Sequence, residues 1–160
     1  MIMRDPAAVL LGLLDDQIVL TKRSAGLRSF SQHVCLPGGM QDISDTSLVD
    51  TAIREFNEEL FFNGKLEITA CMYPEYSIVS QQQVYPVIAR LDGEITDVNQ
   101  DEVERLIMLP LEQLNESNFY VHPHYPEIKH RFCIDYDNER IWGLTAYILY
   151  KFKDLKSYIK

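Results

Sequence analysis

Apolar residues run almost without a break through Ala7–Leu14, stop at Asp15-Asp16, and resume over Gln17–Thr21. Two short apolar runs around a turn-forming acidic pair predict a β-hairpin. The next stretch, Lys22–Gln32, is polar and carries Lys22, Arg23 and Arg28, and His33–Leu36 reads as a short strand cut off by the breaker Pro37-Gly38-Gly39. From Ser47 the period changes. Val49, Ala52, Ile53, Phe56 and Leu60 recur at helical spacing, Ser47 followed by Asp50 resembles a capping box, and Asn63-Gly64 reads as the stop.

Beyond that helix, Leu66–Tyr73 and Gln83–Leu91 are rich in β-branched and aromatic residues and read as strands. Val103–Met108 reads as another before Pro110, and Ile128–Ile134 alternates as a strand does. Gly143–Lys156 reads as a helix, with Leu144, Tyr147, Ile148 and Lys151 at helical spacing. Strands and helices mix without a regular βαβ alternation, which predicts an α+β fold with helices layered on a mixed sheet. At 160 residues, with no repeat, linker or low-complexity tract, the expectation is one domain over residues 1–160.

Composition narrows the function. With 46% hydrophobic and 24% charged residues the chain has an ordinary globular balance. No apolar run approaches the ~18 residues that span a bilayer, and Met1–Pro6 lacks the charged-then-apolar-then-small order of a signal peptide. Cys35, Cys71 and Cys133 are odd in number and widely spaced, so they read as small core residues in a reducing, cytoplasmic setting rather than a disulfide framework. The formal net charge of −9 argues against general nucleic-acid binding. It also repels polyanionic small molecules unless metal ions or a local basic patch reverse the field.

The chemistry concentrates on the helix after Ser47. On a helical wheel its apolar residues fill one arc, and Glu55, Glu58 and Glu59 occupy the adjoining one. Carboxylates three or four positions apart repel one another. Arg54 offsets only part of that charge, and the helix has no lysine. Two readings follow: a solvated acidic face screened by salt, or a site for a hard divalent cation that takes oxygen ligands. The Gly38-Gly39 turn just upstream favours the second, because glycines let backbone amides and carbonyls approach a ligand closely.

Gly38-Gly39…Arg54-Glu55-Phe56-Asn57-Glu58-Glu59 resembles the Nudix box, whose core is Arg-Glu-apolar-any-Glu-Glu after a glycine. The resemblance implies an α/β/α sandwich with a mixed β-sheet, and Mg²⁺- or Mn²⁺-dependent hydrolysis of a pyrophosphate bond in a nucleoside diphosphate derivative. It implies Glu55 and Glu59 as main metal ligands, Glu58 assisting, a carbonyl at Gly38 or Gly39 completing the shell, and Arg54 orienting the carboxylates. The loop from Gly39 to Arg54 is one residue longer than in the general box, so the usual acidic position falls on Thr46, and Phe61 stands where the box has glycine.

The longer loop, with Asp42 and Asp45, is similar to the coenzyme A diphosphatase-like subgroup. So are Leu20-Thr21-Lys22-Arg23-Ser24…Arg28…Leu36-Pro37-Gly38-Gly39 and Ile141-Trp142-Gly143-Leu144-Thr145-Ala146, although Gln32 replaces a glycine and Leu36 a phenylalanine. That likeness implies cleavage of coenzyme A to 3′,5′-ADP and 4′-phosphopantetheine, with Arg23 and Arg28 binding substrate, and Glu102 reaching the metals or acting as general base. Dinucleotides, nucleotide sugars and ADP-ribose are alternative substrates, and a non-catalytic nucleotide-sensing module is the alternative of a different class. The expected partners are a small nucleotide, neither nucleic acid nor membrane, and at most a second copy of the chain. His122 and His124 flank Pro123 without a third ligand at helical spacing, so a loop or substrate-lining role is preferred to a zinc site. His130 reads as a strand histidine, and Tyr120 and Tyr125 as aromatic loop packing.

Overall fold

A computed structural model describes residues 4–27 and 30–159. Its main sheet has eight strands. β1 (Ala7–Leu14) and β2 (Gln17–Arg23) form the expected hairpin. Its turn residues Asp15 and Asp16 both sit at positive φ (50° and 60°), the left-handed pair that a two-residue hairpin turn requires. β3 (Val34–Cys35) and β8 (Val103–Pro110) pair with β2. β7 (Gln82–Val98) runs parallel to β1, and its other neighbours β5 (Leu60–Cys71) and β6 (Glu75–Ser77) are antiparallel to it. One parallel pair among antiparallel ones makes the sheet mixed. A smaller sheet holds β9 (Phe119–Val121), β10 (Phe132–Tyr136) and β11 (Glu139–Ile141) in the order β11-β10-β9.

Two helices cover the two faces of the main sheet. The first, α1 (Leu48–Glu59), buries Ala52 and Phe56 against Ala8, Leu10, Val19, Val87 and Ala89. The second, α2 (Gly143–Phe152), buries Ala146, Ile148, Leu149 and Phe152 against Leu11, Leu20, Ile88 and Ile107. Alternate residues of β1, β2 and β7 therefore face opposite helices, as the two-residue period of a strand dictates. The result is the helix–sheet–helix layering expected from the sequence.

Several boundaries differ from those read in the sequence. α1 ends at Glu59 rather than near Asn63-Gly64, and Leu60 is already extended (φ −131°, ψ 142°) and paired with Val98. Gly64 is a strand residue opposite Gly93. A Cβ on Gly64 would lie 2.2 Å from the Asp92 carbonyl oxygen, so glycine permits a close pairing there instead of stopping a helix. The Pro37-Gly38-Gly39 breaker leads directly into β4 (Gly38–Met40), antiparallel to β1. β7 extends seven residues beyond Leu91, and α2 stops at Phe152 instead of Lys156. The strand read at Ile128–Ile134 begins only at Phe132, with His130 in the turn before it. Cys133 is buried and Cys35 partly so, but Cys71 is exposed, because it ends the outer strand β5.

Phe56 is fully buried between α1 and the sheet, whereas Phe61, two residues past the helix, is 55% exposed. Phe56→Ala should therefore lower unfolding stability by about 3–5 kcal/mol. Phe61→Ala should change it by less than about 0.5 kcal/mol. Urea denaturation of the two variants measures the contrast, and similar losses in both would contradict a helix that ends at Glu59.

Candidate active site

α1 presents its glutamates to the glycine strand because Ser47 starts the helix: its hydroxyl accepts from the Asp50 N–H at 3.1 Å. The next two helical turns carry Arg54, Glu55, Glu58 and Glu59 past β4. A Cβ added to Gly39 would lie 2.5 Å from the Glu55 carboxyl carbon, and one on Gly38 would lie 2.3 Å from the Ala8 carbonyl oxygen. Both positions need glycine for lack of space: Gly38 faces the neighbouring strand, and Gly39 faces the acid.

Glu59 lies beneath that strand, 3% exposed. The Gly38 N–H donates to its Oε2 at 3.0 Å, and the Thr21 hydroxyl stands 3.5 Å from Oε1. Burial pushes the Glu59 carboxyl up to about 8. The Gly38 N–H and Arg23 oppose that shift, and the charges of Glu55 and Glu102 add to it. Burial and the neighbouring Glu58 charge also raise Glu55, against Arg54. These are carboxylates whose charge the protein alone does not neutralise.

Arg54 makes five hydrogen bonds. Nε and Nη2 grip both oxygens of Asp45 at 2.9 Å each, Nη1 donates to Glu55 (3.0 Å) and Glu58 (3.1 Å), and Nη2 also reaches the Met40 carbonyl (3.1 Å). The two-pronged Arg54 bond, with the Asp42 N–H and the Thr51 hydroxyl, holds Asp45 well below the usual carboxylate range; Asp45 in turn holds Arg54 above its ordinary value. The sequence pattern placed Asp45 in the longer loop but gave it no role. The one-residue loop extension that leaves Thr46 at the usual acidic position moves the acid to Asp45, and that offset was the available signal. Thr46 instead donates its hydroxyl to Asp50.

The end of α1 has neither a basic residue nor a capping glycine. Asn99 supplies the donors: its N–H bonds the Glu59 carbonyl at 2.8 Å and its side chain the Glu58 carbonyl at 3.1 Å. The same turn continues through Glu102, whose N–H donates to the Asn99 carbonyl and whose own carbonyl accepts from Ser24. Glu102 is thereby brought within electrostatic reach of Glu55 and Glu59.

The structure thus brings Arg54, Glu55, Glu58, Glu59, Gly38, Gly39, Glu102 and Arg23 into one neighbourhood. Arg28 lies outside the described residues. Lys22 points elsewhere, bonded to Glu139 at 2.9 Å and near Glu104 at 3.5 Å. The glutamates face different partners: Glu59 the Gly38 N–H, Glu58 and Glu55 Arg54. Among the described residues no three His, Cys, Asp or Glu side chains converge tightly enough to enclose a metal ion. His122 and His124 belong to an aromatic group instead: His122 packs 5.1 Å from Trp142, and its Nδ1 accepts the His124 N–H. His33 packs on Trp142 as well, and Tyr125 lies nearly parallel to it. Cys35 borders the site, but burial pushes its thiol up to about 11, which does not suit a nucleophile.

Comparisons with known proteins agree with this geometry. The family model described as the NUDIX domain matches residues 3–132. A Yersinia enterocolitica protein named as an uncharacterized Nudix hydrolase NudL is 34% identical over 150 residues, which is 89% of this chain and 77% of that protein. A protein of the same name from Pectobacterium atrosepticum is 32% identical over 142 residues, 84% of this chain and 72% of that protein. Among solved structures, the Nudix hydrolase RenU of M. smegmatis superposes with a TM-score of 0.65 at 16% identity, covering 100% of this chain and 90% of that one.

The Asp45 carboxylate is taken up by Arg54, the Asp42 N–H and the Thr51 hydroxyl, so its expected effect on turnover passes through Arg54. Asp45→Asn keeps the shape and removes the charge that fixes the guanidinium. Hydrolytic turnover should fall about 10- to 100-fold, the range for loss of an outer-shell partner, while the circular dichroism spectrum stays native. Full activity in that variant would show that Arg54 is positioned without it.

Proposed function

The chain belongs to the Nudix hydrolase family, and from that membership we propose that it uses Mg²⁺ or Mn²⁺ to hydrolyse the pyrophosphate bond of coenzyme A, releasing 3′,5′-ADP and 4′-phosphopantetheine. The observation that carries the metal requirement is the placement of partly buried Glu55 and buried Glu59 against a glycine strand with too little positive charge to match. A hard divalent cation fits that donor set of carboxylates and backbone carbonyls, and its binding would displace the proton that burial favours. Glu55 and Glu59 would hold it together with a carbonyl of Gly38 or Gly39. Glu58, half exposed on Arg54, would assist. When bound, the metal supplies charge neutralisation on the phosphate oxygens and a lowered pKa for bound water.

The chain's own residues do the rest. Arg54, fixed by Asp45, holds the Glu55 and Glu58 carboxylates in place. Water attacks one phosphorus of the pyrophosphate and the bond to the bridging oxygen breaks. Glu102 is assigned as the base that takes the water's proton; it is the carboxylate near Glu55 and Glu59 that no Arg54 bond engages. Arg23 lies close enough to Glu59 to favour its charged form, and Arg23 and Arg28 are assigned to the substrate's phosphates. Support for coenzyme A itself comes from the sequence patterns around Leu20–Gly39 and Ile141–Ala146.

Purified protein assayed against coenzyme A, ADP-ribose, a dinucleoside polyphosphate and a nucleotide sugar, with and without Mg²⁺, tests both levels. Glu55→Gln and Glu59→Gln should each lower Mg²⁺-dependent turnover by roughly 10³-fold, the consequence of losing several kcal/mol of charge stabilisation, with the fold intact. Near-normal turnover in either variant would remove the metal assignment. Arg23→Ala and Arg28→Ala should raise KM for coenzyme A more than for ADP-ribose, which lacks the 3′-phosphate. Equal losses on both, or a wild-type enzyme inactive on coenzyme A, would leave the pyrophosphatase standing and discard that substrate.

A further inference from the structure

On the α2 face of the sheet, opposite α1, lies a groove of ≈ 750 Å³ between the end of β5, Pro86 of β7, the segment leading into β10, and α2. That volume is typical of small-molecule sites. Three cations line it: Lys129, Arg131 and Lys151. The two lysines share one carboxylate, buried Glu75, with Lys129 Nζ 3.2 Å from Oε2 and Lys151 Nζ 3.0 Å from Oε1. Together they hold Glu75 below its usual range although burial works the other way. The other lining acid, Asp154, is bonded to Lys153. Among the described residues Arg131 has no ion-pair partner, and it rests on the Phe132 ring at 5.1 Å. Lys153 is shared between Asp154 and Glu116, so the groove and its neighbours set four cations against three acids, a local positive surplus in a chain whose net charge is −9.

The rest of the lining is aromatic. Tyr147 carries both lysines over its ring, at 5.7 and 5.4 Å, and Phe132 is stacked on Tyr150. Tyr73 differs: it lines the groove yet is 88% exposed and, among the described residues, stacks on no other ring. The lysines remain open to a ligand too, with side chains 61% and 45% exposed. A dianionic phosphate suits the surplus charge, since arginine offers it a planar fork and lysine a point charge. A flat heterocycle suits the uncovered tyrosine.

The groove is separate from the carboxylates. Gly38 pairs with Val9 and Val9 with Pro86, so about two strand spacings, roughly 10 Å, separate the glycine strand from the groove wall. The sheet itself stands between the groove and α1.

The geometry points to a second ligand site on this protein, a groove that binds a nucleoside monophosphate through Arg131, Lys129 and Lys151 with the base on Tyr73. It does not depend on the identity of the hydrolysed substrate. Isothermal titration of the full chain with AMP, in EDTA, tests it, because without a metal the acidic cleft repels the nucleotide. Wild-type protein and Glu59→Gln should bind AMP alike, and Arg131→Gln should weaken binding at least tenfold. Among the described residues Arg131 holds no ion pair, so its replacement leaves buried Glu75 matched; an unchanged thermal midpoint confirms that. Inorganic phosphate should bind at least tenfold more weakly than AMP, and Tyr73→Ser should reduce AMP to the phosphate level. No AMP binding by the wild type, unchanged binding in Arg131→Gln, or loss in Glu59→Gln would each overturn the site. Equal affinity for phosphate and AMP would overturn the nucleotide assignment.

Discussion

Burying a carboxylate without a matching cation is costly, several kcal/mol even after relaxation, and the arrangement around Glu59 exists because that cost is only partly offset. One N–H from Gly38, one hydroxyl from Thr21 and the charge of Arg23 offset it among the described residues. Each constrains something else. Gly38 can reach the acid only because it has no side chain to meet β1. Thr21 must be polar on a strand whose neighbours Val19 and Leu20 are wholly buried. Asn99 must tie down the carbonyls of Glu58 and Glu59, which fixes the turn carrying Glu102. The local fold is strained electrostatically in the direction that a divalent cation relieves.

Arg54 resolves the other half of the charge problem, and Asp45 decides how. A guanidinium free to choose among Glu55, Glu58 and solvent would neutralise the glutamates and compete with any metal for them. Gripped on two nitrogens by Asp45, it spends only Nη1 on the glutamates. Asp45 has its own geometry set by the Asp42 N–H and the fully buried Thr51. The long loop between β4 and α1 is thus the element that sets how strongly the acids are compensated.

Much of this was legible in the sequence, for identifiable reasons. The hairpin shows as two apolar runs around an acidic turn, α1 is strongly periodic, and the box residues sit at fixed offsets on that one helix, so their neighbourhood follows from spacing alone. β4 was not legible because two of its three residues are glycine and carry no side-chain pattern. The exit of α1 was misplaced because Asn63-Gly64 is a local stop signal, whereas the true boundary is imposed by Leu60 pairing with Val98, 38 residues away. β6, β9 and β11 have three residues each, too few for a period to show. The role of Asp45 escaped because it depends on a loop conformation, and spacing on a helix says nothing of loops. The groove beside α2 escaped for the same reason: Tyr73, Arg131 and Lys151 come together only through tertiary packing.

An acidic protein that handles phosphates must solve recruitment as well as catalysis, since its overall field repels the molecules it binds. Several cations are already committed: Lys22 and Arg105 to Glu139, Arg54 to Asp45, Lys153 to Glu116 and Asp154. Local surpluses then matter more than the total. At the carboxylate cleft negative charge is in excess, with Arg23 near enough to Glu59 to favour its charged form. On the other face of the sheet the surplus is built from side chains: two lysines on one carboxylate and, among the described residues, an arginine on none. A charge imbalance that persists in a folded chain needs a ligand of the opposite sign or exposure to water, and the two sites differ in sign. Anions held by a metal at one site would be lost on chelation, whereas anions held by side chains at the other would stay bound, and that difference separates the two sites physically.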